Sequence, residues 1–208
     1  MDSKGCMKIP EYIDTYEELF APLKDKPVTI LELGVLSGAS LLMWDAYFPH
    51  PQAEIVGLDM NPPIDFNTAL QLKAPLSRIF QYQGQQDDRY LLECIVHKHG
   101  PFDIIIDDAS HRRGPTETSL TYLFTHVKPG GYYIIEDFGT GYWVPERGFD
   151  GEHYQGANTN HSAGMVGLVK SFVDEISSMD LPEPYTRQSP WLSLEVRWGQ
   201  AILRLRKN

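Results

Sequence analysis

Two strand-like runs of this chain end in paired acids, "PFDIIIDD" at 101–108 and "GYYIIEDF" at 131–138, and a histidine, His111, follows the first pair within a turn. A carboxylate delivered by an apolar run is costly unless it is paired or binds a metal. In an open parallel sheet the C-terminal ends of strands lie along one edge, where ligands bind. If these runs are such strands, Asp107, Asp108, Glu136 and Asp137 converge there. Four carboxylates held together repel one another, and a divalent cation resolves that conflict. Oxygen ligands suit a hard ion such as Mg²⁺, completed by water and substrate oxygens. His111 stands where a ring nitrogen could take the proton of a hydroxyl. One acidic pair alone is more often a helix cap or part of a solvated loop; the matching pair on a second strand is what points to a metal.

Such a site needs strands to deliver it. Apolar runs at 28–34, 53–60, 78–84, 101–108 and 131–138 are continuous rather than alternating, the pattern of strands buried on both faces. Helical spacing fills the intervals at 38–48, 87–100 and 115–131. The second of these begins at Asp caps and stops at Gly100, and the third stops at Pro-Gly-Gly. Strand–helix alternation predicts an α/β fold with a mostly parallel sheet and helices on both faces. A further amphipathic helix is expected over 165–179, and "WLSLEVRW" with "QAILRLRK" around Gly199 predicts a terminal hairpin on the sheet edge. The stretch 139–164 has no period and is rich in Gly, Asn and aromatics. A long irregular segment in a compact domain is usually a lid or binding loop. Tyr142, Trp143, His153, Tyr154 and His161 fall in it, equally suited to stacking on a bound ring and to packing the loop.

The 208 residues suit one domain spanning 1–208, and 42% apolar with 22% charged residues is ordinary for a soluble protein. A net charge of −10, with basic residues scattered, argues against a nucleic-acid partner. No run is long enough to span a membrane, and the first residues lack the apolar core of a signal peptide. Cys6 and Cys94 make no motif spacing. The expectation is therefore a cytoplasmic protein with reduced thiols, with homo-oligomer formation left open.

"ILELGVLSGASLLMW" at 30–44 reads as strand, Gly-rich turn and helix start. It lacks the G-x-G-x-x-G of a pyrophosphate cradle, which disfavours a dinucleotide dehydrogenase. Glu32, read as lying in the turn, suits an ammonium or sulfonium rather than a phosphate. Asp59 ends the second run, where a carboxylate accepts hydrogen bonds from ribose hydroxyls. Together these features favour a nucleoside ligand.

The ordered set "ELGVLSGAS…GLDM…FDIIIDD…KPGGYYIIED" resembles the class I S-adenosylmethionine (SAM) methyltransferases, with their Rossmann-like seven-stranded fold, across nearly the whole chain. "PFDIIIDDASH…TSLTYLFTHVKPGGYYIIEDFGTGYW" looks more closely like the metal-dependent macrolide sugar O-methyltransferases of the mycinamicin and macrocin type, with the cephalosporin-hydroxylase-like methyltransferases as cousins. Family members carry Gly where Ala109 stands. The resemblance implies SAM and Mg²⁺ as cofactors and a small hydroxylated acceptor, a sugar or glycosylated natural product. It implies metal ligation by Asp108, Glu136 and Asp137, His111 as general base, and Asp107 nearer the cofactor. Glu32, Gly34, Ser37, Ser40 and Asp59 are the remaining cofactor contacts, with Gln86 or Asp87 at the adenine amine. A catechol-type O-methyltransferase and a non-catalytic SAM-binding module are the alternatives. The first is disfavoured by Glu136–Asp137, where catechol enzymes generally carry an Asn.

Overall fold

The computed structural model describes residues 8–61, 76–143, 162–177 and 191–205. Seven strands form one sheet: β1 (Thr29–Leu33), β2 (Glu54–Asp59), β3 (Ile79–Gln83), β4 (Phe102–Asp107), β5 (Val127–Ile135), β6 (Trp191–Arg197) and β7 (Gln200–Leu205). Their order is β3-β2-β1-β4-β5-β7-β6. The first five are parallel, and the β6–β7 hairpin joins through antiparallel pairing of β7 with β5. The expected sheet and terminal hairpin are both present. No helix among the described residues is long and apolar enough to cross a membrane.

Among the described residues five helices cover the two faces: α1 (Pro10–Phe20), α2 (Ala39–Tyr47), α3 (Arg89–His99), α4 (Arg113–Leu123) and α5 (Gly164–Ser177). Two separate cores result. Tyr12, Tyr16 and Phe20 of α1 and Leu41, Trp44 and Tyr47 of α2 pack against Ile30, Ile104, Ile106 and Ile134. Leu92, Leu120, Met165 and Phe172 of α3, α4 and α5 pack against Leu31, Leu33, Ile105 and Tyr133. Consecutive side chains of a strand point to opposite faces, so β1 to β5 and β7 feed both cores.

Three elements differ from expectation. Helix α4 starts at Arg113 and ends at Leu123, and Val127 already pairs with Phe102, so the run "KPGG" is strand rather than helix end. A register shift between Phe102 and Ile104 and a left-handed Gly130 (φ 81°) accommodate it. The acids of "IIED" lie beyond β5, which stops at Ile135 and gives way to a 3₁₀ turn over Phe138–Tyr142. Helix α1 has no counterpart in the sequence reading, although Pro at its first turn and Tyr12, Tyr16 and Phe20 at fourfold spacing mark it. Of the 139–164 segment, residues 144–161, with His153, Tyr154 and His161, lie outside the described residues.

Candidate active site

The strand order reverses direction between β1 and β4, and a crevice opens there at the carboxyl ends of the strands, the usual ligand position in such sheets. A cavity of about 420 Å³ occupies it, lined on one wall by Gly34–Ser37, Ser40, Asp59 and Gln86 and on the other by Asp108–His111, Glu136 and Asp137. Lys8 and Tyr12 also line it. Among the described residues three non-glycine residues have left-handed backbones, Leu36 (φ 48°), His111 (φ 51°) and Asp137 (φ 53°), and all three line this cavity. Each such conformation costs roughly 1–3 kcal/mol and persists where surrounding structure enforces it, commonly at functional sites.

The nucleoside-like wall is a loop pinned by a carboxylate. Asp59 Oδ2 accepts the backbone N–H groups of Val35 (2.8 Å) and Leu36 (2.7 Å), and Oδ1 accepts from Asn61. Gly34 is left-handed (φ 83°), and a Cβ there would stand 2.2 Å from the carbonyl oxygen of Asp108. Glycine is therefore required less for a ligand than for the contact that butts this loop against the acidic wall. Ser37 lines the cavity. Ser40 also reaches it, but its hydroxyl donates to Glu32 Oε2 at 2.6 Å.

Glu32 is not in the turn. It lies in β1, fully buried, and faces α1 and α2 rather than the cavity. Trp44 Nε1 donates to its Oε2 (3.3 Å), and Lys8 Nζ lies 3.0 Å from Oε1, out of line for a hydrogen bond. The ammonium this carboxylate faces is the protein's own. Burial pushes Glu32 upward, against the pull of Lys8 and Ser40.

The acidic wall is sorted by strand alternation. Ile105 points into the α3–α5 core, so Asp107, two residues on, points the same way and is absent from the cavity lining. It accepts from Gln86 Nε2 (3.0 and 3.1 Å), Ser119 Oγ (2.9 Å) and Tyr133 OH (3.0 Å). Burial raises it to about 6 despite those donors. Gln86 Oε1 in turn accepts the backbone N–H of Ser110 at 2.8 Å. Its amide is thus committed to holding the turn that carries His111, while Asp87 lines the same wall. Asp107 thus supports the wall from behind, outside the cavity lining.

Asp108, His111 and Asp137 do come together. Each offers a ligand atom, all within 4.8 Å of one another. His111 Nε2 is 3.8 Å from Asp108 Oδ1 and 4.0 Å from Asp137 Oδ2. Tyr12 OH fixes Asp137 by donating to Oδ1 at 2.5 Å. Glu136 lines the cavity but is turned toward α1: its Oε1 accepts from Lys8 Nζ (2.8 Å) and from Tyr16 OH. Burial raises Glu136, opposed by Lys8. Lys8 also reaches Asp108 Oδ2 at 2.5 Å. Burial alone would lower Lys8, but Glu136, Glu32 and Asp108 outweigh it and hold it well above the usual lysine value. The oxygen donors of Asp108 and Asp137 with one imidazole fit a divalent ion. Sequence reasoning missed Lys8, Tyr12 and Tyr16; the spacing in α1 marks a helix, and nothing in the sequence says that this helix meets β4 and β5.

Sheet order, crevice and acidic wall together define a class I methyltransferase fold. The solved structure of MycE methyltransferase from the mycinamycin biosynthetic pathway, in complex with Mg, SAH and mycinamycin VI, superposes on all of this chain with a TM-score of 0.77 at 32% identity, over 51% of its own length. The chain is 36% identical over 189 residues to mycinamicin VI 2''-O-methyltransferase of Micromonospora griseorubida, covering 87% of this chain and 43% of that protein. It is 38% identical over 180 residues to 8-demethyl-8-(2-methoxy-alpha-L-rhamnosyl)-tetracenomycin-C 3'-O-methyltransferase of Streptomyces olivaceus, covering 81% of this chain and 42% of that one. The chain therefore spans less than half the length of the curated relatives it matches. These relatives are O-methyltransferases of sugar moieties on antibiotics. No protein-family model matches the chain.

Proposed function

We propose that the protein transfers the methyl group of SAM to a hydroxyl of a sugar on a small glycosylated natural product, with Mg²⁺ as cofactor. The convergence of Asp108, His111 and Asp137 in one cavity with the Asp59-pinned loop carries this reading, and the named relatives support the acceptor class. The loop from Gly34 to Ser40 and Asp59 receive the nucleoside, with Asp87 rather than Gln86 toward its base. Asp108 and Asp137 present their charge to the cation, and Glu136 is the third carboxylate of the set. A bound divalent ion lowers the pKa of a hydroxyl and fixes its position. His111 accepts the proton of that hydroxyl through Nε2, while its left-handed backbone and the Gln86-held turn keep the ring directed at the acidic pair. The reaction then rests mainly on alignment, which is worth up to roughly 7–11 kcal/mol in favourable intramolecular cases.

A second role for His111, as nitrogen ligand in place of Glu136, is favoured by its closeness to Asp108 and Asp137. His111→Ala separates the two. Methyl transfer from SAM is followed on a panel of glycosides bearing free sugar hydroxyls, with a catechol included, and Mn²⁺ affinity is titrated in parallel. As general base, His111 is expected to contribute about 10²–10⁴-fold to kcat and to leave Mn²⁺ affinity unchanged; loss of Mn²⁺ binding makes it a ligand. Methylation of the catechol and of no glycoside by the wild type overturns the acceptor class.

A further inference from the structure

Lys8 has no part in the reaction above, yet its side chain is only 3% exposed and lies among three carboxylates. Lysine is almost never fully buried unless paired. Here the pairing is with two residues of the acidic wall, Asp108 and Glu136, and with Glu32 behind them. Lys8 precedes α1 by two residues, and α1 carries the other groups that hold this wall: Tyr12 on Asp137 and Tyr16 on Glu136. One short segment thus touches Asp108, Glu136 and Asp137.

The two oxygens of Asp108 are divided. Oδ2 meets the ammonium at 2.5 Å, and Oδ1 faces His111 at 3.8 Å on the way to Asp137. A divalent ion among Asp108, His111 and Asp137 would share one carboxylate with a lysine cation in a half-buried site, where like charges a few ångströms apart repel strongly. Glu136 has its Oε1 on Lys8 and is turned away from that group. We propose that Lys8 is a resident counter-cation that competes with the divalent ion for Asp108 and Glu136, so that metal occupancy loosens the hold of the α1 segment on the site. With the ion absent, Lys8 keeps the carboxylates from repelling one another; with the ion present, it is displaced. Lys8 is a positioning residue for the metal ligands. The inference rests on the reading of this wall as a divalent-cation site.

The test is Mn²⁺ affinity, measured by titration of Mn²⁺ alone against the wild type, Lys8→Met and Lys8→Arg. Lys8→Met is expected to bind Mn²⁺ at least about tenfold more tightly, through loss of one like charge, and Lys8→Arg to stay near the wild type. Equal or weaker binding by Lys8→Met, with the wild type still binding, overturns the competition and leaves the metal site standing. Absence of Mn²⁺ binding in both overturns the cation reading itself. Should Lys8→Met not fold, amide hydrogen exchange across α1 in the wild type decides: faster exchange at saturating Mn²⁺ supports displacement, and unchanged exchange overturns it.

Discussion

The acidic pairs that end β4 and precede the 3₁₀ turn after β5 look alike in sequence and are treated oppositely by the fold. In each pair one acid joins the group around His111 and the other is turned toward a helix. Asp107 is turned to the α4 side and satisfied by neutral donors, Gln86, Ser119 and Tyr133. Glu136 is turned to the α1 side and satisfied by a cation, Lys8, with Tyr16. Asp108 and Asp137 meet between them. Strand alternation sets the facing of Asp107, the last residue of β4, whereas Glu136 and Asp137 lie beyond β5 and the left-handed backbone of Asp137 separates them. What differs is the support each rear acid receives. One is an ordinary buried hydrogen-bond network, and the other is an ion pair whose cation also contacts a front acid.

Substitutions can break this contrast, and the largest effect separates front from rear. Asp108→Asn is expected to weaken Mn²⁺ binding by more than about 100-fold, the upper end for losses behind a metal site, and to remove methyl transfer with it. Asp107→Asn should keep Mn²⁺ affinity within a few-fold of the wild type. Equal losses in the two titrations would mean that both acids bind metal. Next comes the contrast between the two rear acids. Glu136→Gln leaves a buried ammonium short of a partner and should lower unfolding free energy in urea by about 3 kcal/mol. Adding Lys8→Met to it should recover part of that loss, because the two residues share one interaction. The smallest effect is Tyr133→Phe, which removes one donor from Asp107 and should cost about 1 kcal/mol with no change in Mn²⁺ affinity. A loss as large as that of Glu136→Gln would show that the two supports are energetically alike.

Much of the fold is legible from local pattern. The five parallel strands and the terminal hairpin follow from apolar runs of strand length, and α3 from its cap: Asp88 accepts the N–H of Leu91 at 3.1 Å. "KPGG" misleads because Pro and Gly end helices and can also open a strand at a register shift. The facing of Glu32 and Asp107 is not legible for another reason. Their position at or near strand ends is readable, but which face they turn to depends on which helix packs there.

The chain's own sequence therefore settled the strand–helix alternation, the terminal hairpin and the presence of acids at the ends of two apolar runs, because apolar periodicity and turn chemistry are local. Tertiary structure alone decided which acids meet. Lys8 and Asp108 are 100 residues apart in sequence and joined at 2.5 Å, a contact that exists only because α1 folds back over the ends of β4 and β5. No spacing rule encodes it, since the energy that places Lys8 comes from the burial of Tyr12, Tyr16 and Phe20 against the sheet and from the charges waiting there.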